Sequence, residues 1–177
     1  MLELQLGGIE YFDESTNQFI IMESKIFRFE HSLHTISQWE AKHKKPYLSP
    51  HYEKTPEEAL DYTFIMCQDK GLDLKMLNNN AISEISEYMN DPQTATTINR
   101  QSSETSSRIL TSEVIYGYMA NAHIPFECDR WHLNRLMTLL EVMSSFSEKP
   151  KKMSPDEIRE QNKRLNEERR RQLNTKG

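Results

Sequence analysis

Glycine is scarce and scattered. The five residues Gly7, Gly8, Gly71, Gly117 and Gly177 form no cluster. A phosphate-cradling loop needs clustered glycines between a strand and a helix, so neither the P-loop nor the dinucleotide fingerprint can be placed. Cysteine is scarcer still: Cys67 and Cys128 cannot build a disulfide framework in a chain of 177 residues. No uninterrupted apolar run approaches the roughly 20 residues of a membrane-spanning helix. The start, Met1-Leu-Glu-Leu-Gln-Leu-Gly-Gly8, lacks the basic n-region and long apolar h-region of a secretory signal. These absences create the expectation of a soluble protein made in a reducing cytoplasm, with no membrane partner.

Charge is distributed unevenly. Residues 151–177 carry nine Lys or Arg and five Asp or Glu, a net of +4, against −5 for the whole chain, which leaves −9 on residues 1–150. An acidic body argues against nucleic-acid binding. In the tail, Glu157, Glu160, Glu167 and Glu168 dilute the attraction of Arg169, Arg170 and Arg171 for phosphate. The change of character near residue 150 divides the chain into a globular part, 1–148, and a polar basic tail, 149–177. A helix with so little apolar surface is solvated, disordered or completed by a partner.

The body reads as α+β: strands over about 3–30, then helices. Tyr11, Phe12 and Phe19-Ile-Ile-Met22 flank the turn-forming cluster Asp13-Glu-Ser-Thr-Asn17, a hairpin signal, and Lys25–Glu30 follows as a third strand of one small antiparallel sheet. Ser32 can cap a short helix carrying Ile36 and Trp39 that ends near Pro46. Thr55-Pro-Glu-Glu58 is a capping box with Pro at the first helical position, opening a helix expected to stop at Gly71. Asn80 is the expected cap of a helix with Ile82, Ile85 and Met89. Residues 93–108 are rich in hydroxyl groups that bond the local backbone, and read as a loop. Thr111 caps a helix with Val114, Ile115, Tyr118 and Met119. The longest amphipathic helix spans roughly 128–146, with Leu133, Leu136, Met137, Leu140 and Met143 on one face. Ser154-Pro155-Asp156-Glu157 starts a tail helix whose thin stripe is Ile158, Leu165 and Leu173.

Candidate chemistry is sparse. His123, Cys128 and His132 are the one metal-like grouping, with Cys128 and His132 four apart on the expected helix. The competing reading makes Cys128 a small buried hydrophobe and His132 a flank of the core helix, and no second cysteine pair favours an ion. His31 and His34 beside Glu30 are discounted in the same way. Cys67 is placed mid-helix with no base beside it to activate the thiol. Glu57/Glu58 and Glu127/Asp129 sit where helices begin and answer the helix dipole. No catalytic residue, metal site or cofactor is assigned. Trp39 and Trp131 lie in amphipathic helices, where core packing is the default and an interface anchor the sharper alternative.

Two stretches carry a resemblance. Glu30-His-Ser-Leu-His-Thr-Ile-Ser-Gln-Trp-Glu40, then Lys45-Pro-Tyr-Leu48 and the Thr55–Glu58 helix start, resemble a recurring E-H-S-L, I-S-x-W-E, K-P-F-L pattern, with Tyr47 in place of Phe. Ile115-Tyr-Gly-Tyr-Met119, Ile124-Pro-Phe-Glu-Cys128 and Trp131-His-Leu-Asn-Arg-Leu136 extend it, followed by the lysine-rich Lys151-Lys-Met-Ser154. The pattern is similar to that of tail assembly proteins of long-tailed bacteriophages. The resemblance implies a non-enzymatic, chaperone-like protein acting on tail proteins, the tape-measure protein among them, in the host cytoplasm. From the residues themselves, the partner-binding candidates are Trp39, Trp131, Ile158, Leu165, Arg169, Arg170 and Arg171, with a Met-rich apolar surface offered to the client. A structural subunit of the virion tail or baseplate and a nucleic-acid-binding regulator acting through the basic tail are the rivals. A homo-oligomer is compatible with every one of these readings.

Overall fold

The computed structural model describes residues 1–15, 17–97, 109–147 and 155–173. The chain is α+β and divides into two compact units, Met1–Met143 and Ser144–Gly177.

Four strands open the first unit: β1 (Leu2–Leu6), β2 (Ile9–Asp13), β3 (Gln18–Met22) and β4 (Lys25–Phe29). They do not form the single three-stranded sheet expected from the sequence. β1 pairs with β4 and β2 with β3, both antiparallel, as two separate ladders. Leu6 lies opposite Lys25 and Ile9 opposite Met22, so one register runs through both ladders without a residue gained or lost. The break falls at Gly7 and Gly8, with φ of +93° and +68°. A Cβ on Gly7 would sit 2.2 Å from the Glu23 carbonyl oxygen, so only glycine permits this close crossing. Strand alternation puts Leu4, Leu6, Phe27 and Phe29 into the core.

Helix α1 (Leu33–His43) has a reciprocal cap: the Ser32 hydroxyl accepts the Thr35 N–H, and the Thr35 hydroxyl accepts the Ser32 N–H. Lys44, at φ 59°, closes it with an N–H bond to the Glu40 carbonyl. Leu33, Ile36 and Trp39 on its inner face are fully buried. Helix α2 (Pro56–Met66) begins at the Thr55 capping box as expected. It stops earlier than Gly71, because Cys67 turns extended and bridges Phe29, while Gln68 N–H donates to the Arg28 carbonyl at 2.8 Å. Pairing with the outer side of β4 replaces further helix. Asp69 reinforces the junction, accepting the Arg28 backbone N–H and both arms of its guanidinium.

A 3-10 turn, Leu74–Met76, leads to α3 (Asn79–Asn90). Its cap is Asn78, whose side chain accepts the Ala81 N–H, rather than Asn80. Of the expected loop 93–108, residues 98–108 lie outside the described structure. Helix α4 (Ser112–Asn121) buries Ile115 and Met119. Helix α5 (Leu133–Ser147) is shorter than expected, because Phe126–Arg130 is a 3-10 turn and Trp131 is extended. The entry to α5 is tied to the start of α1: Leu133 N–H donates to the His31 carbonyl at 2.8 Å, and His132 bridges Ser32. Leu133 and Leu136 are buried, and Met137, Leu140 and Met143 pack partly against the same core.

In the second unit, α6 (Pro155–Leu173) is helical, as its start signal predicts; Ser154 lies outside the described residues. Leu165 is 42% exposed and Arg169 and Arg170 are exposed, while the side chains of Ile158 and Arg171 are outside the described set. No helix among the described residues is long and apolar enough to cross a membrane.

Candidate functional site

The titratable residues of the first unit join elements to one another. At the end of β4, Tyr88 on α3 donates its hydroxyl to Glu30 at 2.6 Å. The neighbouring His31, 4% exposed, hydrogen-bonds through Nδ1 with the Tyr62 hydroxyl on α2 at 2.7 Å. His132 stands edge-on to both, its ring 5.4 Å from His31 and 4.8 Å from Tyr88. The His132 Nδ1 accepts the Asn134 N–H, so Nε2 carries the proton and donates to the Tyr88 carbonyl at 3.0 Å. Both imidazoles are held neutral: burial, then the neighbouring His132, pushes His31 down to about 3, and burial also lowers His132.

A second junction centres on Glu58 in the α2 cap. Its carboxylate takes Lys45 at 2.5 Å, the Tyr52 hydroxyl and the Thr55 N–H. Lys45 first, then Tyr52, holds the carboxyl down at about 2. The sequence marks Glu58 as a helix-start residue, and nothing local announces Lys45 as its partner. The third junction is Glu40, 7% exposed, which accepts the Tyr47 N–H at 2.8 Å and the Ser112 N–H and hydroxyl at 2.7 and 2.5 Å. This is what caps α4; Thr111 makes no side-chain cap bond. One signal was available, since Glu40 lies four residues beyond Ile36 on the buried stripe of α1. No buried side-chain polar atom among the described residues lacks a hydrogen-bond partner.

The metal-like grouping does not assemble. Cys128 sits in a 3-10 turn and His132 on extended backbone, so the four-residue helical spacing that would aim both at one ion is absent. Among the described residues no three His, Cys, Asp or Glu side chains are placed to hold an ion together. His31 and His34 diverge: the first is buried against Tyr62, and the second faces Asp129 at 3.5 Å near the surface. Cys67 ends α2 rather than lying within it; its thiol donates to the Asp69 carbonyl, and burial raises its pKa.

The two tryptophans have separate fates. Trp39 is fully buried, stacks on His43 at 4.4 Å and donates its indole N–H to the Glu58 carbonyl at 3.0 Å. It is a core residue with no face left for a partner, which corrects its place among the partner-binding candidates. Trp131 is 36% exposed and carries the Arg135 guanidinium 4.4 Å above its ring. Phe126, 55% exposed, lies at the other end of the same 3-10 turn, with Tyr116 edge-on at 5.9 Å. Of the methionines expected on a client surface, Met1 is the one fully open among those described, at 61% exposed, and Met22 is half-buried. Met66 and Met119 are fully buried, and Met76, Met89, Met137 and Met143 pack against the core. The apolar groups left exposed are mainly aromatic or Ile, and the hairpin tip with Phe12, Phe19 and Ile21 is their main concentration. No family model, curated protein or solved structure matches this chain.

Proposed function

We propose that this protein is a non-enzymatic assembly factor that grips another protein, a chaperone-like factor for phage tail proteins such as the tape-measure protein. The observation that carries the reading is the pair of exposed aromatic side chains that flank one 3-10 turn, Phe126 at its start and Trp131 at its end, with the Arg135 guanidinium stacked on the indole. Trp, Arg and aromatic side chains of this kind dominate protein interfaces because they remove much apolar area from water at small entropic cost. The titratable groups nearby support the same reading, since Asp129 is taken up by Tyr116 and His34. In the second unit, Leu165, Arg169 and Arg170 stand exposed on α6 and offer a charged helical surface of the sort a client can order. Interspersed Glu160 and Glu167 weaken its appeal to nucleic acid.

Co-expression of the tagged protein with the tape-measure protein tests the reading. Co-purification of a soluble complex is the expected result, and replacing Arg135 by Glu together with Phe126 by Ser should lower recovery about tenfold or more. Recovery of the protein in fixed proportion from purified virions would favour the structural-subunit rival.

A further inference from the structure

The tip of the hairpin has apolar side chains on both faces, and none of the described residues between 9 and 22 belongs to the core or to the side chains packed against it. Phe12, Phe19 and Ile21 are 46%, 69% and 71% exposed, and the two phenyl rings meet edge to face at 5.2 Å. Three other strand edges are occupied or charged. The outer side of β4 takes the Cys67–Asp69 segment, α3 packs on β1, and β2 carries Glu10 and Asp13, with Lys75 over its Tyr11 ring. β3 has β2 on one side and, among the described residues, no strand on the other. It is also the one described strand without a charged residue; β1 has Glu3, and β4 has Lys25 and Arg28. Edge strands are normally protected by charge, proline or a bulge, and Gln18-Phe-Ile-Ile-Met22 has none of these.

We propose that β3 pairs antiparallel with β3 of a second copy of this chain, about a two-fold axis at Ile20, giving a four-stranded sheet ordered β2-β3-β3-β2. In that register Phe19 lies opposite Ile21 of the second copy and Gln18 opposite its Met22. Every position then meets an uncharged partner, and the most exposed apolar pair covers itself. Charge selects this edge. Self-pairing through β2 would draw Glu10 and Asp13 of both copies to one seam in a chain of net charge −5. The same acids on the outer β2 edges stop further strands from adding, so the two-fold contact closes as a dimer. The covered area is on the order of a few hundred Å² per copy, below the roughly 800 Å² per partner of a standard stable interface. The dimer is therefore concentration-dependent. It stands independently of the client reading, because it is measured on the isolated protein.

Sedimentation equilibrium on the full chain tests it. The mass should rise from one chain, 20.9 kDa, towards twice that between about 1 and 100 µM. Ile20→Lys puts two like charges on the axis and should hold the protein monomeric over the whole range, with its thermal unfolding unchanged because the tip lies outside the core. Ile20→Cys in a Cys67→Ser background should form an intermolecular disulfide on mild oxidation, since Cα atoms facing each other across paired strands lie within bonding reach. A monomer at every concentration, a dimer that survives Ile20→Lys, or an Ile20→Cys protein that does not cross-link would each overturn the proposal.

Discussion

Strands β1 and β4 and strands β2 and β3 share one register, are apolar over more than half their length, and end in opposite environments. Leu4, Leu6, Phe27 and Phe29 are at most 6% exposed, whereas Phe12, Phe19 and Ile21 stand 46–71% open. Hydrophobic content does not separate the two ladders. The difference is a second layer: residues of α1, α2 and α3 join Leu4, Leu6, Phe27 and Phe29 in one core cluster, and no residue of β2 or β3 belongs to it. A hairpin can thus be anchored at one end and offered at the other, with Gly7 and Gly8 letting the chain change direction between them.

The sharpest contrast is a pair of identical truncations. Phe29→Ala should lower the unfolding free energy by about 3–5 kcal/mol, since a fully buried ring is removed, while Phe19→Ala should change it by no more than about 0.5 kcal/mol. Urea titration of both variants measures this, and equal losses would dissolve the distinction between anchor and tip. A smaller effect comes from acid. His31 flanks the anchored ladder and is neutral when folded, with its pKa near 3 against 6.5 when exposed, so the unfolded chain binds the extra proton. Its contribution is complete above 6.5 and drains away as pH falls towards 3, costing about 2 kcal/mol between 6.5 and about pH 5. Glu58 and Asp69, both held at about 2, begin to lose their contributions only as pH falls through the ordinary carboxylate values of 4.5 and 3.8, and have lost them by about 2. His31→Asn should flatten the stability profile between pH 6.5 and about 5, read from urea midpoints. The smallest effect is at the hinge. Gly7→Ala meets both a positive φ and the Glu23 carbonyl, and should cost about 1–2 kcal/mol. Amide exchange should quicken first along β2 and β3, because they join the anchored ladder through this crossing and lie outside the core.

Much of the helical architecture was readable from local signals. Ser32, Thr55 with Pro56, and the turn cluster before Gln18 each act within a few residues of themselves, and the elements they start are where the sequence places them. Two helix ends depart from their local signals because a distant segment competes. The end of α2 is decided by β4, and the start of α5 by the His31 carbonyl, neither of which is a neighbour in sequence. The three polar junctions were largely hidden for the same reason, since Glu40 meets Ser112 and Glu30 meets Tyr88 only after the chain has packed.

By itself the sequence determined the class of most segments, the caps that start α1 and α2, and the apolar stripes, because hydrogen bonding and side-chain periodicity operate over one or two turns. Which stripes would be covered was decided by the tertiary structure alone. Trp39 and Trp131 look alike in sequence, yet one lies inside the core and the other beneath Arg135 at the surface. Burial depends on what packs across from a residue, and that is set by contacts tens of residues away along the chain.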